Sequence, residues 1–325
     1  MGVGLVRKGA TGSVSHSQGT PTLALRDTYG ATYSFIEQGN VVLLNVGSQS
    51  QPTTPAAGNL VFFSKSRADK MIGSVIGPSG IDFNIQNALF GSTVIRWVPS
   101  AGTNIQMNPT GAPGVGSGWG SGWQARNATG AQTHPNKSST NSMNSLNRAL
   151  FSTTAAINTS SGIQSINTIV WRGNASGLGG FFFFARFGMV TIGTGARVLI
   201  GLSALNATLT VDPSGINNTI AIIKDAADTT WQVLIRSAST STKQPTGVTI
   251  TANQILDIYI HVKPNDTSAT FELRNPIAGT SLYSTTLSTG MIDGSTFLYA
   301  HCQVQASAAS LSALALSQIY IESDV

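Results

Sequence analysis

Paired carboxylates are the first chemistry that this sequence could carry, because two of them flanking one glycosidic bond can hydrolyse it. Such pairs stand about 5 Å or roughly 6.5–9.5 Å apart. The chain contains three glutamates, Glu37, Glu272 and Glu322, and no Glu-x-Asp-x-Glu run. Asp257 and Glu322 would become neighbours only if their strands pair. We therefore expect no catalytic carboxylate pair and no enzyme.

Serine, histidine and cysteine side chains offer no second catalytic arrangement. The chain has no Gly-x-Ser-x-Gly nucleophile elbow, and its 4 histidines include no His-Glu-x-x-His metal motif. His261 and His301 fall on faces of predicted strands that we expect to meet water. The single cysteine, Cys302, falls on an apolar strand face and excludes an intramolecular disulfide.

Aspartates in predicted turns raise the question of calcium, which takes about six to eight oxygen ligands. Asp225 and Asp228 share one turn, and Asp212 and Asp266 lie in two others. Two aspartates in one turn are most simply turn formers, because their side chains bond nearby backbone amides. We therefore expect no metal and no cofactor.

Aromatic side chains in the C-terminal half could stack against a sugar. A site of this kind combines an apolar platform with a few placed polar groups. The candidates are Trp231, Tyr259, Tyr283 and Tyr299. The alternative for each of the four rings is packing inside a hydrophobic core.

Period-2 alternation from Ile163 onward predicts the strands that must position these side chains. Ile258 and Ile260 share one face of a run whose other face carries Asp257 and Tyr259. Such alternation is typical of antiparallel sheets with one face in a core. Short runs of this kind recur at 166–172, 180–187, 197–202, 219–224, 231–236, 248–251, 256–262, 270–274, 281–287, 296–305 and 314–322.

Short strands with almost no helix predict an all-β protein whose C-terminal part is a jelly-roll β-sandwich. Helical turns are expected at 81–90 and 144–151 alone. The run Phe181–Phe184 is apolar on both faces, as in a central strand covered on both sides. Charged residues make up 10% and hydrophobic residues 41% of the chain, which argues against disorder and against helical bundles.

Glycine content and charge divide the chain into three predicted parts. Residues 1–108 form an irregular, β-rich N-terminal region, and residues 109–142 a Gly-rich linker or surface loop. Residues 143–325 form the sandwich. Ten Lys/Arg and four Asp/Glu lie in residues 1–150, against eight and nine in residues 151–325. This basic half suits an acidic protein surface.

Nucleic-acid binding and membrane insertion are not expected. The basic residues are scattered apart from Lys65, Arg67 and Lys70, and few have the aromatic neighbours of a base-stacking groove. The longest apolar stretch, 177–190, contains Arg186 and falls short of the roughly 20 residues that a membrane span needs. Residues 1–8 lack the apolar region of a secretion signal.

A family resemblance rests on PAAGNLVFFSKSRADK at residues 55–70, IGPSGIDFNIQ at 76–86 and ALFG at 88–91. These segments resemble tailed-bacteriophage virion structural proteins of the tail-fibre or appendage type. LGGFFFFARFG at 178–188, ARVLIGLS at 196–203 and IYIESD at 319–324 resemble the concanavalin-like, lectin-like domain of that group. The resemblance covers roughly residues 55–325; the group has Ala-Gly-Arg where this chain has Ala68-Asp69-Lys70.

The resemblance implies a structural protein of the virion, assembled in the host bacterial cytoplasm. It implies a homotrimeric tail fibre or appendage whose N-terminal half docks to tail, neck or capsid proteins, with Lys65, Arg67 and Lys70 as docking candidates. The sandwich would then face outward toward a host cell-surface glycan. Two alternatives stay open: a capsid or neck decoration or connector protein with a purely structural role, and a polysaccharide depolymerase.

Overall fold

The computed structural model describes residues 13–15, 22–26, 32–38, 41–46, 56, 61–76, 82–84, 94–99, 122–127 and 129–323. Before residue 61 (Ala56 aside) and at 82–84, only the backbone is described. The chain divides into two compact units, Met1–Asn87 and Ala88–Val325.

The described strands of the first unit lie in two antiparallel sheets. The bounds are β1 (Ser13–Ser15), β2 (Thr22–Arg26), β3 (Thr32–Gln38), β4 (Val41–Val46), β5 (Val61–Arg67), β6 (Lys70–Ile76) and β7 (Asp82–Asn84). One sheet has the order β1-β2-β3-β4 and the other β5-β6-β7. Ala68 and Asp69 link β5 to β6 with φ values of 47° and 65°. Two successive positive φ values are what a two-residue type I′ hairpin turn requires.

The second unit is built almost entirely of strands. Its bounds are β8 (Val94–Trp97), β9 (Trp123–Ala125), β10 (Ala131–Thr133), β11 (Ala149–Ser152), β12 (Thr159–Ser165), β13 (Val170–Trp171), β14 (Phe181–Thr191), β15 (Ala196–Ser203), β16 (Thr219–Lys224), β17 (Thr230–Arg236), β18 (Ser241–Thr249), β19 (Leu256–Val262), β20 (Ala269–Asn275), β21 (Thr280–Leu287), β22 (Phe297–Ala306) and β23 (Ala313–Ser323). One helix, α1 (Ser142–Ser145), and a 3-10 turn at Pro213–Gly215 complete the described elements.

These strands form two large antiparallel sheets. Sheet I has the order β10-β11-β23-β14-β19-β20-β21, with β8 also paired to β23. Sheet II has the order β18-β17-β16-β15-β22-β12-β9, with β13 also paired to β22. The predicted all-β jelly-roll sandwich is confirmed.

The core lies between the two sheets and follows the alternation of the sequence. On β14, Phe181 and Phe183 point into it, whereas Phe182 and Phe184 lie on the opposite face and are also buried. This strand is central in sheet I, since it pairs with β19 on one side and β23 on the other, and on its outer face the rings of Tyr259, His261 and Tyr320 lie against Phe182. Cys302 lies in the core, as predicted.

The sandwich begins earlier in the chain than residue 143. Strands β9 and β10 lie in the predicted Gly-rich segment 109–142, and the indole of Trp123 packs in the core. The part of that segment from 109 to 121 lies outside the described residues. The helical turn expected at 144–151 is confirmed at residues 144 and 145, where α1 ends, and is wrong from Ala149, where β11 begins. The helical turn expected at 81–90 is wrong at Asp82–Asn84, which is a strand.

No helix in the described part of the chain combines the length and the apolar character needed to cross a membrane.

Candidate functional site

The outer face of sheet II carries three neighbouring aromatic rings, which we call the aromatic row: Trp171, Phe297 and Tyr299. The core side of β22 carries Leu298 and Ala300, so Phe297 and Tyr299 point to the outer face. They lie about 7 Å apart along the strand, two residues at roughly 3.4 Å each.

Trp171 joins the row from the neighbouring strand. It stands directly opposite Phe297 in the β13–β22 ladder. The two rings stack with their centroids 5.1 Å apart and their planes at 12°. Phe297 keeps 50% of its surface exposed. An exposed, pre-stacked pair of this kind can receive the apolar face of a further ring without reorganising.

Arg126 supplies the cation next to the row. Its guanidinium bonds Gln164, which stands opposite His301 in the β12–β22 ladder, and His301 is two residues from Tyr299 on the same face of β22. The Nε of Arg126 donates to Gln164 Oε1, and Nη2 donates to Asn206 Oδ1. Its backbone is also fixed, because its N–H donates 2.9 Å to Gly162 O and its carbonyl accepts 2.8 Å from Gln303 Nε2. Arg126 is therefore a rigidly held cation.

A buried hydrogen-bond network around Gln303 holds the backbone of Arg126 in place. Gln303 Oε1 accepts from the backbone N–H of Leu209 (2.8 Å), and Nε2 also donates to Ser160 Oγ (3.1 Å). His301 Nε2 lies 3.0 Å from the same Oε1. An amide N–H can only donate, so Oε1 is an acceptor and His301 must carry its proton on Nε2. The Nδ1 of His301 is left buried without a described hydrogen-bond partner.

Burial keeps His301 neutral. Desolvation lowers its pKa to about 4, a net value that includes the opposing effect of the hydrogen bond with Gln303 and the smaller lowering effect of the Arg126 charge. Its expected contact with water is wrong, although it does lie on the outer face. The segment 204–218 covers this part of sheet II: Leu209 and Ile216 pack on Ile223 and its neighbours, and Leu209 bonds the Gln303 side chain.

The outer face of sheet I holds a second polar and aromatic group. Asp257 is 2% exposed and receives a two-point ion pair from Arg186, at 2.7 and 2.8 Å. Tyr259 stacks on Phe184 with the ring centroids 5.0 Å apart. Burial first, and then the charge of Glu322, raises the pKa of Tyr320 well above its usual range, and Tyr320 Oη donates to that carboxylate over 3.1 Å.

Asp257 and Glu322 do not form a pair on this face. Strand β14 lies between their strands: Arg186 is opposite Asp257, whereas Phe182 is opposite Glu322. Two strand spacings of about 4.8 Å and four residues along the strand separate their backbones by roughly 16 Å. Each carboxylate also has its own partner, Arg186 for Asp257 and Tyr320 for Glu322, so the two are not arranged as a catalytic pair.

The four aromatic candidates occupy different environments. Trp231 is 1% exposed and makes an edge contact with Phe187 in the core, with the centroids 5.1 Å apart. Its ring has no free face, so core packing replaces the expected sugar contact. Tyr259 is 5% exposed and closed off by its neighbours. Tyr283 packs partly against the core. Tyr299 is half-buried in the aromatic row.

The turn that contains Asp225 and Asp228, the two aspartates of the calcium question, binds the side chain of Lys243. Lys243 Nζ lies 2.7 Å from Asp225 and 2.9 Å from Asp228. Burial alone would lower the pKa of this lysine, but its hydrogen bonds to the two carboxylates outweigh burial and raise it. Within the described ranges, no group of three or more His, Cys, Asp or Glu side chains could hold a metal ion.

The three docking candidates belong to the β5–β6 hairpin of the first unit. Lys65 and Arg67 are buried, with 2% and 8% exposure, and Lys70 is half-buried. Lys65 Nζ lies 5.8 Å from the centre of the Phe63 ring. These side chains do not form an exposed basic patch.

Sequence reasoning missed Trp171, Phe297 and Arg126 as site residues. Trp171 and Phe297 are 126 positions apart and meet through the β13–β22 register. Arg126 lies in a segment read as linker. One sequence signal does indicate this pair. Phe297 precedes the apolar Leu298 near the start of a strand, so the two side chains point to opposite faces and an aromatic ring is placed on the outer one.

Comparison with known proteins agrees on the fold. No known protein family matches the sequence, and no curated protein does. A crystal structure of a protein of unknown function from Shewanella oneidensis MR-1 aligns with a TM-score of 0.50 and 14% identity, over 74% of this chain and 90% of that one. Peanut lectin with a nine-residue peptide aligns with a TM-score of 0.46 and 9% identity, over 72% and 98%.

A family 7 alginate lyase in complex with its substrate aligns with a TM-score of 0.38 and 9% identity, over 55% of this chain and 79% of that chain. These likenesses concern the backbone. The chain has an all-β, jelly-roll β-sandwich fold.

Proposed function

We propose that this protein binds a carbohydrate on the outer face of sheet II, through the aromatic row. The observation that carries the proposal is the stacked Trp171–Phe297 pair, whose Phe297 ring is 50% exposed. Contiguous exposed apolar patches, unlike single exposed side chains, mark binding sites on protein surfaces.

The chemistry of the row suits a sugar. Pyranose rings present apolar C–H faces and a rim of hydroxyl groups, so they need a flat apolar platform and a few fixed hydrogen-bonding groups. Phe297 and Tyr299 provide the platform, and Arg126 and the exposed Asn206 lie beside it. The arginine is anchored through its backbone and its side chain, so little conformational entropy is lost on binding.

We further propose that the protein is a component of a bacteriophage particle, a homotrimeric tail fibre or appendage. This part rests on the sequence resemblance of residues 55–325 to virion structural proteins. The excess of basic residues in residues 1–150 supports attachment of that half to an acidic particle surface.

The proposed role is binding without bond cleavage. The placement of Asp257 and Glu322 supports it: β14 lies between their strands and each carboxylate has its own partner, whereas acid–base hydrolysis of a glycoside needs two carboxyl groups that flank one bond. Reducing-sugar release from host polysaccharide, abolished in Glu322→Gln or Asp257→Asn, would overturn this assignment.

The binding test uses the full-length chain on a glycan array, followed by titration calorimetry with the best ligand. Phe297→Ala should weaken binding by about tenfold, the order that removal of one stacking aromatic gives. Ile277→Ala is the matched control, because Ile277 is 63% exposed on the β20–β21 turn, outside the row. It should bind as the wild type does.

Two results would contradict the proposal. One is binding that Phe297→Ala leaves unchanged, and the other is an array without hits together with no competition for phage adsorption. The virion assignment has its own test: a reconstruction of the particle that contains this chain, with a mass measurement showing three copies per assembly in solution.

A further inference from the structure

We propose that the aromatic row binds an acidic glycan and that Arg126 receives the negative group of the sugar. The inference rests on the proposed carbohydrate binding and names the ligand class. A carboxylate, such as that of a uronic acid, is the group that the geometry fits best.

The first step is the charge of Arg126. The guanidinium is half-buried, and no described carboxylate forms an ion pair with it. Arg186, Arg197 and Arg274 in the same unit each pair with an Asp or Glu. Arg126, like Arg148 and Arg236, bonds neutral oxygens instead. Removing a cation from water without a counter-charge is unfavourable, and desolvation accordingly lowers the pKa of Arg126. A bound anion would remove that penalty.

The second step is the donors that remain. A guanidinium carries about five N–H groups in a fixed plane. Gln164 and Asn206 accept one each, from Nε and Nη2. Both N–H groups of Nη1 and one of Nη2 are left, which suffices for the two-point hydrogen bond that arginine makes to a carboxylate.

The third step is position. Tyr299 lies between Phe297 and His301 on the outer face of β22, and Gln164, which holds the Arg126 guanidinium, stands opposite His301. A sugar stacked on these rings would therefore have its ring substituents on the side of the guanidinium. In this proposal the aromatic row sets the orientation of the sugar ring, and Arg126 binds the negatively charged substituent of that ring.

The experiment compares polymers that differ only in charge. Full-length protein is titrated with polygalacturonate and with hyaluronate, and with the same two polymers after reduction of their carboxyl groups to alcohols. We expect the wild type to bind at least one acidic polymer about tenfold or more tightly than its reduced form, since hydrogen bonds to charged groups are stronger than neutral ones.

The variants separate this charge from general electrostatics. Arg126→Gln should remove the preference for the acidic polymer, and Arg126→Lys should keep part of it. Lys137→Gln removes an exposed positive charge elsewhere and should leave the preference unchanged. Circular dichroism of each variant checks that the sandwich is intact.

The outcomes distinguish this inference from the proposed function. Equal binding to the acidic and reduced polymers, dependent on Phe297, overturns the role of Arg126 and leaves carbohydrate binding standing. A preference that survives in Arg126→Gln also overturns it. Absence of binding to every acidic and neutral polymer, including the array, overturns both proposals.

Discussion

Arg186 and Asp257 stand directly opposite each other in the β14–β19 ladder and form an ion pair through two hydrogen bonds, 2.7 and 2.8 Å long. The carboxylate side chain is 3% exposed, whereas the arginine is 22% exposed. The pair fixes the register of the two central strands of sheet I at one point on its outer face. Because both of its carboxylate oxygens bond Arg186, Asp257 has a structural role in this sheet.

Replacing Arg186 alone should destabilise the fold more than replacing Arg186 and Asp257 together. Arg186→Met leaves a buried carboxylate with only a 3.4 Å contact from Tyr259 Oη, and we expect a loss of about 3 kcal/mol in the free energy of unfolding. The double variant Arg186→Met/Asp257→Leu should recover most of it, because no uncompensated charge remains. Urea unfolding at pH 7 measures both; equal losses in the two variants would contradict the argument.

Calcium should not stabilise the wild-type protein, because the ammonium of Lys243 already lies between Asp225 and Asp228. Melting temperatures in about 5 mM calcium and in chelator should agree within about 1 °C. Lys243→Ala removes the cation that bonds both carboxylates, with Lys224 left as the nearby positive charge, and should lose about 1–2 kcal/mol, discounted for the partial exposure of Lys243. Calcium should then raise the melting temperature of that variant by roughly 2 °C or more. Stabilisation of the wild type by calcium would mean that the site binds metal after all.

The sequence predicts the strands of this protein best where one face packs in the core. The predicted runs 219–224 and 256–262 coincide with β16 and β19. Alternation of polar and apolar residues predicts that one face of a strand packs in the core. It does not predict whether another segment of the chain covers the opposite face. His301 shows this: its place on the outer face follows from the pattern, and its burial follows from a loop whose packing the pattern does not encode.

Strand β12 shows what hydrophobic patterning cannot detect. Its residues Thr159–Ser165 are mostly polar, yet all are buried. Hydrogen bonds satisfy them, such as Gly162 N–H to Asn127 Oδ1 and Ser161 Oγ to Ala131 O. The site depends on the same kind of long-range pairing, because Gln164 of this strand holds Arg126. The sequence shows the residue types of the site, but it does not show that these residues lie together in the fold.

Gly162 should be intolerant of any side chain, because β12 and β22 approach closely there. A Cβ at this position would lie 2.3 Å from Cys302 O and 2.6 Å from Gln303 Cα. Both atoms are backbone, so Gly162→Ala must push the strands apart, and we expect a loss of about 2–3 kcal/mol. Gly215→Ala is the matched control, since the nearest atom to its Cβ, Val211 Cγ2, is 3.9 Å away. Thermal or urea unfolding compares them; equal stability of the two variants would contradict this packing.

His301 should make the stability of the sandwich depend on pH between about 6.5 and 4. The unfolded chain binds a proton on this histidine below its ordinary pKa of 6.5, whereas burial holds the folded pKa at about 4. The folded state therefore binds fewer protons in that window, and its stability falls as the pH is lowered through it. A shift of this size corresponds to about 3 kcal/mol, present in full above pH 6.5 and lost by pH 4.

The variant His301→Gln isolates this contribution, because a glutamine amide does not titrate and can still donate to Gln303 Oε1. We expect the free energy of unfolding of the wild type to fall by about 3 kcal/mol more than that of the variant between pH 7 and pH 4. Urea unfolding at several pH values gives both curves. Since the difference between the curves cancels the titration of the other groups, parallel curves would show that His301 is solvated, and the network holding Arg126 would then need another basis.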